Sequence, residues 1–98
     1  MSIAADAGST DPGPSYLATG KSFTSRAMVK RDIGLLLPVA RELGIPLVIG
    51  TAGGSGAAPH LAWALEILRE VAAEARLSAR VAVIEAEPDR AYLERKLA

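Results

Sequence analysis

Four glycines between an apolar run and a proline-led helix start are the residues whose spacing most suggests chemistry. Segment 46–60, PLVIGTAGGSGAAPH, contains Gly50, Gly53, Gly54 and Gly56. A strand that delivers such a loop to a helix N-terminus surrounds one concave spot with backbone N–H groups and the positive end of the helix dipole. The pattern predicts a phosphate or carboxylate site contacted by Gly53, Gly54, Ser55 and Gly56.

The glycine spacing locates this site without naming its ligand. It matches neither the G-x-G-x-x-G dinucleotide fingerprint nor the G-x-x-x-x-G-K-[ST] phosphate loop, since no lysine follows the glycines. The alternative is a turn in which the glycines serve only positive φ angles and close packing. Both interpretations are open from the sequence.

His60, Asp6 and Asp11 are the candidate catalytic residues. His60 falls in the first turn of the helix after the glycines, where a neutral imidazole can polarise a carbonyl group or simply bond a neighbouring loop. The two aspartates are candidate general bases, although Asp11 before Pro12 and Gly13 also suits a turn. The two aspartates could also bind a divalent cation, but five residues apart they make only a weak metal motif. No Ser-His-Asp pattern identifies a nucleophile.

The remaining candidates lie in three loops that follow predicted strands, at residues 7–24, 52–58 and 85–88. They are polar residues expected to contact a ligand, and Lys21 with Arg26 would complete an anion site. The alternative is that loop residues are polar because loops contact water. The candidate ligand-binding residues outside the glycine segment are Ser9, Thr10, Lys21, Ser22 and Glu85.

Alternating periodicities predict the elements that position these residues. The pattern predicts strands at 2–6, 47–51 and 80–85 and helices at 25–43, 59–76 and 88–97. The order βαβαβα implies one α/β domain over 1–98, a Rossmann-like half domain with a three-stranded parallel sheet. The carboxyl ends of its strands would meet at one edge, where ligands bind.

Three details of these elements can be tested directly. The unalternating apolar run at 47–51 predicts a strand covered on both faces. Pro38 is expected to bend the first long helix without breaking it. The second long helix should bury a stripe from which Trp63 points away, so that something else must cover its ring. The predicted stripe consists of Leu61, Leu65, Leu68, Val71, Ala72 and Ala75.

Composition excludes several classes of protein. The 98 residues are 50% hydrophobic, contain no cysteine and balance 11 basic against 11 acidic side chains. Such a chain is expected to fold, without disulfides or thiolate sites and without the basic footprint of a nucleic-acid or anionic-membrane binder. The first residues lack the features of a secretory signal, and no apolar run reaches membrane-spanning length, so the expected location is the cytoplasm.

Three runs, DAGSTDPGPSYLATGKSFTSRAMVKRD, ELGIPLVIGTAGGSGAAPHLAW and VAVIEAE, carry a resemblance that covers about residues 5–97. They resemble the N-terminal region of the acyclic terpene utilisation protein A family, bacterial proteins linked to breakdown of citronellol- and geraniol-type terpenes. Members of that family are several times longer. The resemblance implies an N-terminal piece or truncated relative of a catabolic protein, binding an acidic or CoA-linked intermediate at the strand edge.

The sequence is therefore compatible with two candidate functions. One is a ligand-binding portion of a catabolic protein; the other is a non-catalytic assembly module that docks on a chain carrying the rest of the family sequence. The open edges of a small sheet and the off-stripe Trp63 predict a homo-oligomer or a complementary chain. No residue pattern identifies the reaction, the substrate or a cofactor.

Overall fold

Local signals divide the chain into two strands and four helices. The computed structural model describes residues 1–98. A 3₁₀ turn at Ala52–Gly54 connects the second strand to the helix after it. The elements are β1 (Ile3–Asp6), α1 (Pro14–Thr19), α2 (Arg26–Leu43), β2 (Leu47–Gly50), α3 (Ala58–Glu74) and α4 (Arg90–Leu97).

The sheet has only two strands, so the predicted three-stranded Rossmann-like sheet is wrong. β1 and β2 pair in parallel, with Ile3 opposite Leu47 and Asp6 opposite Gly50. Residues 80–85, the predicted third strand, form no regular element. Their β-branched side chains favour an extended backbone, but a strand also needs a hydrogen-bonded neighbour. Every residue from 78 to 98 is exposed, including all of α4.

The two strands are covered on one face only, which corrects the expectation that 47–51 is covered on both. Ile3, Leu47 and Ile49 are half-buried, while the alternate residues Ala4 and Val48 are exposed. Successive side chains of a strand point to opposite faces, so this alternation means that the helices pack against a single face. The continuous apolar run suggested burial that no second layer provides.

Helix α2 begins and ends where its capping residues predict. The Ser25 hydroxyl accepts a hydrogen bond from the Met28 N–H at 3.2 Å, and Gly44 ends the helix in the left-handed conformation. Pro38 lies inside the helix, which continues through it without a break. Residue i−4 is Gly34, which has no side chain to crowd the proline ring.

The buried face of α3 coincides only in part with the predicted stripe, which included Val71 but not Ile67. Ile67 is fully buried and Val71 is 5% exposed, and both contact Ile33 and Leu37 of α2 in one hydrophobic cluster. Trp63 packs against that cluster one helical turn before Ile67. The prediction that Trp63 points away from the core is therefore wrong. The many leucines of α3 suggested a stripe through 61, 65 and 68, all of which are only half-buried.

Oppositely charged side chains join α2 to α3 along the rim of this core. Glu70 accepts hydrogen bonds from Arg26 and from Lys30, the latter at 2.8 Å, and Lys30 also contacts Glu74 at 2.9 Å. The two cations, mainly through the Arg26 hydrogen bond, lower the pKa of Glu70 to about 2. Arg26 is thereby engaged with α3 and does not contribute to an anion site.

Replacing Glu70 by glutamine should lower stability in a pH-dependent way. A carboxylate whose pKa falls from 4.5 to about 2 on folding stabilises the folded state above pH 4.5, and this contribution is lost as the pH falls through about 2. In urea denaturation, the free energy of unfolding of Glu70→Gln should therefore be lower than that of the unmodified chain at neutral pH. This difference should become smaller as the pH falls toward about 2. Glu42→Gln, at an exposed position of α2, is the matched control and should show no such narrowing. A loss of unfolding free energy that does not change with pH would contradict the lowered pKa of Glu70.

None of the four helices combines the length and the apolar character needed to span a membrane.

Candidate functional site

A cleft of about 550 Å³ lies beyond the carboxyl ends of β1 and β2. The loop after β1, helix α1 and the glycine loop after β2 form its walls, so the prediction of converging loops is realised for two of the three loops. Eight predicted site residues line this cleft: Ser9, Thr10, Asp11, Ser22, Gly53, Gly54, Ser55 and His60.

Gly8 holds the two loops against each other. A Cβ at this position would lie 2.5 Å from the Thr51 Cγ2 and 2.7 Å from the Gly54 carbonyl oxygen. Real Cβ atoms do not approach that closely, so only glycine allows the first loop to pack here. The two walls of the cleft are therefore in direct contact at its base.

Asp6 fixes the same junction and does not line the cleft. Its Oδ1 accepts hydrogen bonds from the Gly8 N–H and from the Thr51 hydroxyl, each at 2.8 Å. The Gly8 hydrogen bond, followed by that of Thr51, holds the pKa of Asp6 below its usual value. Thr51 has a φ of 53°, which is strained for a β-branched residue. Asp6 thus stays ionised and stabilises an unfavourable turn.

Asp11 lines the cleft, but one of its oxygens is engaged locally. Its Oδ1 accepts a hydrogen bond from the Gly13 N–H at 2.9 Å, which is the Asx turn considered from the sequence. The second carboxylate oxygen, Oδ2, is the part of Asp11 left for a ligand.

The backbone donors of the glycine loop are used within the loop. The Gly54 N–H donates to the Thr51 carbonyl at 2.9 Å, and the N–H groups of Ser55 and Gly56 donate to the Ala52 carbonyl. Gly53, with a φ of 77°, packs against the backbone of His60. These features match the alternative of a close-packed turn. The predicted anion cradle would need N–H groups that this geometry directs to carbonyl oxygens.

The start of α3 also has its own partners. The Ala57 N–H donates to the Ser55 hydroxyl at 3.1 Å, and the Ala58 N–H donates to the Glu87 carboxylate at 2.5 Å. An anion is favoured at a helix N-terminus, and here the chain supplies one from its own C-terminal segment. Glu85, two residues earlier, is exposed and does not line the cleft.

Ser55 and His60 form a hydrogen-bonded pair on the cleft wall. The Ser55 Oγ lies 2.6 Å from the His60 Nδ1, and the His60 Nε2 lies 2.8 Å from the backbone carbonyl oxygen of Lys21. A carbonyl oxygen only accepts, so Nε2 carries the proton, and in the neutral ring Nδ1 accepts from the Ser55 hydroxyl. A hydroxyl bonded to an oriented imidazole is a nucleophile and base arrangement.

The sequence analysis does not predict this pairing, although it names both residues as separate candidates. The sequence shows a serine five residues before a histidine, with a turn and a helix start between them, and this spacing is not a known motif. Only the conformation of the loop folds the Ser55 hydroxyl back onto the helix. His60, in the first turn of α3, is 2% exposed.

The rest of the lining is apolar and hydroxyl-bearing, and carries one formal charge. Tyr16 and Phe23 pack edge to face with ring centroids 5.6 Å apart, and Leu17 lies beside them on α1. Asp11 is the charged residue of the lining, and neither lysine nor arginine lines the cleft. Lys21 contributes its carbonyl to His60 while its side chain lies outside the cleft. The charges of the cleft therefore do not favour an anionic group inside it.

Nowhere in the chain do three or more histidine, aspartate or glutamate side chains form a group that could hold a metal ion.

Comparisons of this chain with known protein families, with curated proteins and with solved structures find no match. The resemblance of its quoted runs to the acyclic terpene utilisation family thus stays a prediction, as do the functions that follow from it.

Proposed function

We propose that this chain is the small-molecule-binding portion of an acyclic terpene utilisation-type catabolic protein, with its ligand in the cleft beyond β1 and β2. The observation that supports this proposal is where the resembling runs lie. The segments DAGSTDPGP and GTAGGSG, at 6–14 and 50–56, are more than thirty residues apart in the chain, yet both line one cleft.

The lining indicates the chemistry of the ligand. Ligand pockets combine an apolar wall, which binds the body of the ligand, with a few polar groups that orient it. Tyr16, Leu17 and Phe23 provide such a wall, and the hydroxyls of Ser9, Thr10 and Ser55 provide neutral polar contacts. A branched apolar chain ending in a carbonyl or hydroxyl group suits this lining. The phosphates of a CoA-linked ligand would lie outside the cleft, since no cation lines it.

Titration with geraniol and with the pantetheine thioester of the corresponding acid tests the proposal. Amide resonances of residues 8–13 and of Phe23 should shift at millimolar ligand, and the melting temperature should rise with ligand concentration. Phe23→Ala should weaken binding about tenfold, because one aromatic contact of this kind is worth about 1.4 kcal/mol.

Tyr92→Ala is the matched control, since Tyr92 on α4 is an aromatic residue about as exposed as Phe23, at 49% against 51%. It should bind like the unmodified chain. Shifts spread over the whole molecule, or none at millimolar ligand, would contradict the proposed function.

An assembly module is the second candidate, and a specific observation favours it. Only eight of the 98 residues are buried, while Leu35, Val48 and Ile84 are more than half exposed. Both edges of a two-stranded sheet also offer unpaired backbone groups to a second copy or a complementary chain. Sedimentation velocity on the titration samples tests the form of this candidate in which the partner is a second copy, because such a module forms a dimer or larger species whether or not ligand is present.

A further inference from the structure

We propose that Ser55 is a nucleophile for acyl transfer and that His60 is its general base, so that the cleft accepts carboxylic esters or thioesters of short apolar acids. This inference deepens the proposed function and rests on it in one respect only, that both use the same cleft. The Ser55–His60 pair carries it.

The hydrogen bonds of Ser55 leave its oxygen able to attack. A hydroxyl has one donor and two lone pairs. The donor is directed to the His60 Nδ1 at 2.6 Å, and one lone pair accepts from the Ala57 N–H at 3.1 Å. The second lone pair is left on an oxygen that lines the cleft. An ordinary capping serine would donate to solvent or to a carbonyl, whereas this one donates to a base.

The surroundings of His60 fix its role. Its Nε2–H donates to the Lys21 carbonyl at 2.8 Å, which leaves Nδ1 as the acceptor that faces Ser55. The ring is 2% exposed, so its hydrogen bonds to Ser55 and to Lys21 are shielded from bulk water. The Lys21 carbonyl accepts this hydrogen bond and so orients the imidazole, which is the role of a carboxylate in other serine nucleophile sites.

The lining places an acyl group against this pair. An apolar acyl chain would lie along Tyr16 and Phe23, with its carbonyl carbon next to the Ser55 oxygen and its carbonyl oxygen facing the hydroxyls of Ser9 and Thr10, which also line the cleft. No charged group is needed for this fit, in agreement with a lining that has no lysine or arginine.

The reaction balances with water as the second substrate. The Ser55 Oγ bonds to the carbonyl carbon as its proton moves to the His60 Nδ1, and the bond to the alcohol or thiol breaks as that proton passes to the leaving group. The product is an ester of Ser55. Water, deprotonated by the same nitrogen, then attacks the ester, which releases the carboxylic acid and restores the hydroxyl.

p-Nitrophenyl butanoate tests the proposal, because it carries a short apolar acyl group and releases a coloured product. The unmodified chain should release one equivalent in a burst, gain the mass of one butanoyl group and carry it on Ser55 in a peptide map. Ser55→Ala should lose the burst and the label. His60→Gln should slow the burst about 100-fold, the range expected for loss of a general base. Circular dichroism establishes that each variant is folded.

Ser78→Ala is the matched control, since Ser78 is an exposed serine far from the cleft in the chain, and it should react like the unmodified protein. A label on lysine or on the N-terminus alone, or equal labelling of the unmodified chain and Ser55→Ala, would overturn the proposal. The position of the label on the unmodified chain decides the question even if a variant fails to fold. Terpenoid binding without acylation would overturn this inference and leave the proposed function intact. Acylation without terpenoid binding would support this inference and contradict the proposed function.

Discussion

Gly53→Ala is expected to destabilise the protein by about 3 kcal/mol or more and to disrupt the cleft. Two independent penalties act at this position. The φ of 77° is a left-handed conformation, which costs an L-residue about 1–2 kcal/mol. The added Cβ would also collide with the backbone carbonyl oxygen of His60 and lie 2.6 Å from the His60 Cβ, and overpacking of this kind costs about 1–3 kcal/mol. Backbone atoms cannot rotate away as a side chain can.

Gly44→Ala separates the two penalties. Gly44 has a similar φ of 65°, but a Cβ there would meet no atom within 4 Å. Its substitution should cost only the conformational part, about 1 kcal/mol. Urea unfolding followed by Trp63 fluorescence measures both variants. Equal losses at the two positions would show that the close contact between Gly53 and His60 does not exist in solution.

Ile67→Ala is the second change expected to have a large effect, a loss of about 3 kcal/mol of unfolding free energy. Ile67 is fully buried where α2 and α3 meet, and only six hydrophobic residues of the chain are buried. A cavity there removes contacts with both Ile33 and Leu37, which no neighbouring side chain can replace without moving a helix. In a domain of this size such a loss is a large share of the total stability.

Ile84→Ala is the matched control for the same chemical change. Ile84 lies in the segment that was predicted as the third strand, and it is 86% exposed. Its truncation should change the unfolding free energy by less than about 0.5 kcal/mol. A loss as large as that of Ile67→Ala would place this segment in the core and contradict the two-stranded sheet.

How far the sequence predicts the fold depends on whether the signal is local. Ser25, Gly44 and the proline at the start of α3 act within one helical turn, and the helix bounds derived from them are correct to within two residues. Whether residues 80–85 form a strand depends on a neighbouring backbone that their own side chains do not specify. The face of α3 likewise depends on where α2 crosses it, and the predicted stripe included Val71 but not Ile67 or Trp63.

The candidate site also combines features that local signals predict with features that depend on tertiary contacts. Its location at the ends of β1 and β2 was predicted because parallel strands bring their following loops to one edge. The pairing of Ser55 with His60 was not, since it depends on a loop whose conformation is set by tertiary contacts at Gly8, Gly53 and Thr51. The uses of Asp6 and of the glycine N–H groups also become visible only with their partners in place.

The parallel pairing of β1 with β2 has a consequence for local unfolding. β1 is four residues long, and only Ile3 is half-buried in it, while Ala4, Ala5 and Asp6 are exposed. Segments with few buried apolar contacts open at a smaller free-energy cost than the packed core. We therefore expect β1 to separate from β2 more readily than α2 separates from α3, and this opening would also open the cleft, whose first wall follows β1. A ligand that contacts both walls of the cleft would slow the opening, which hydrogen exchange at the amides of β1 would measure.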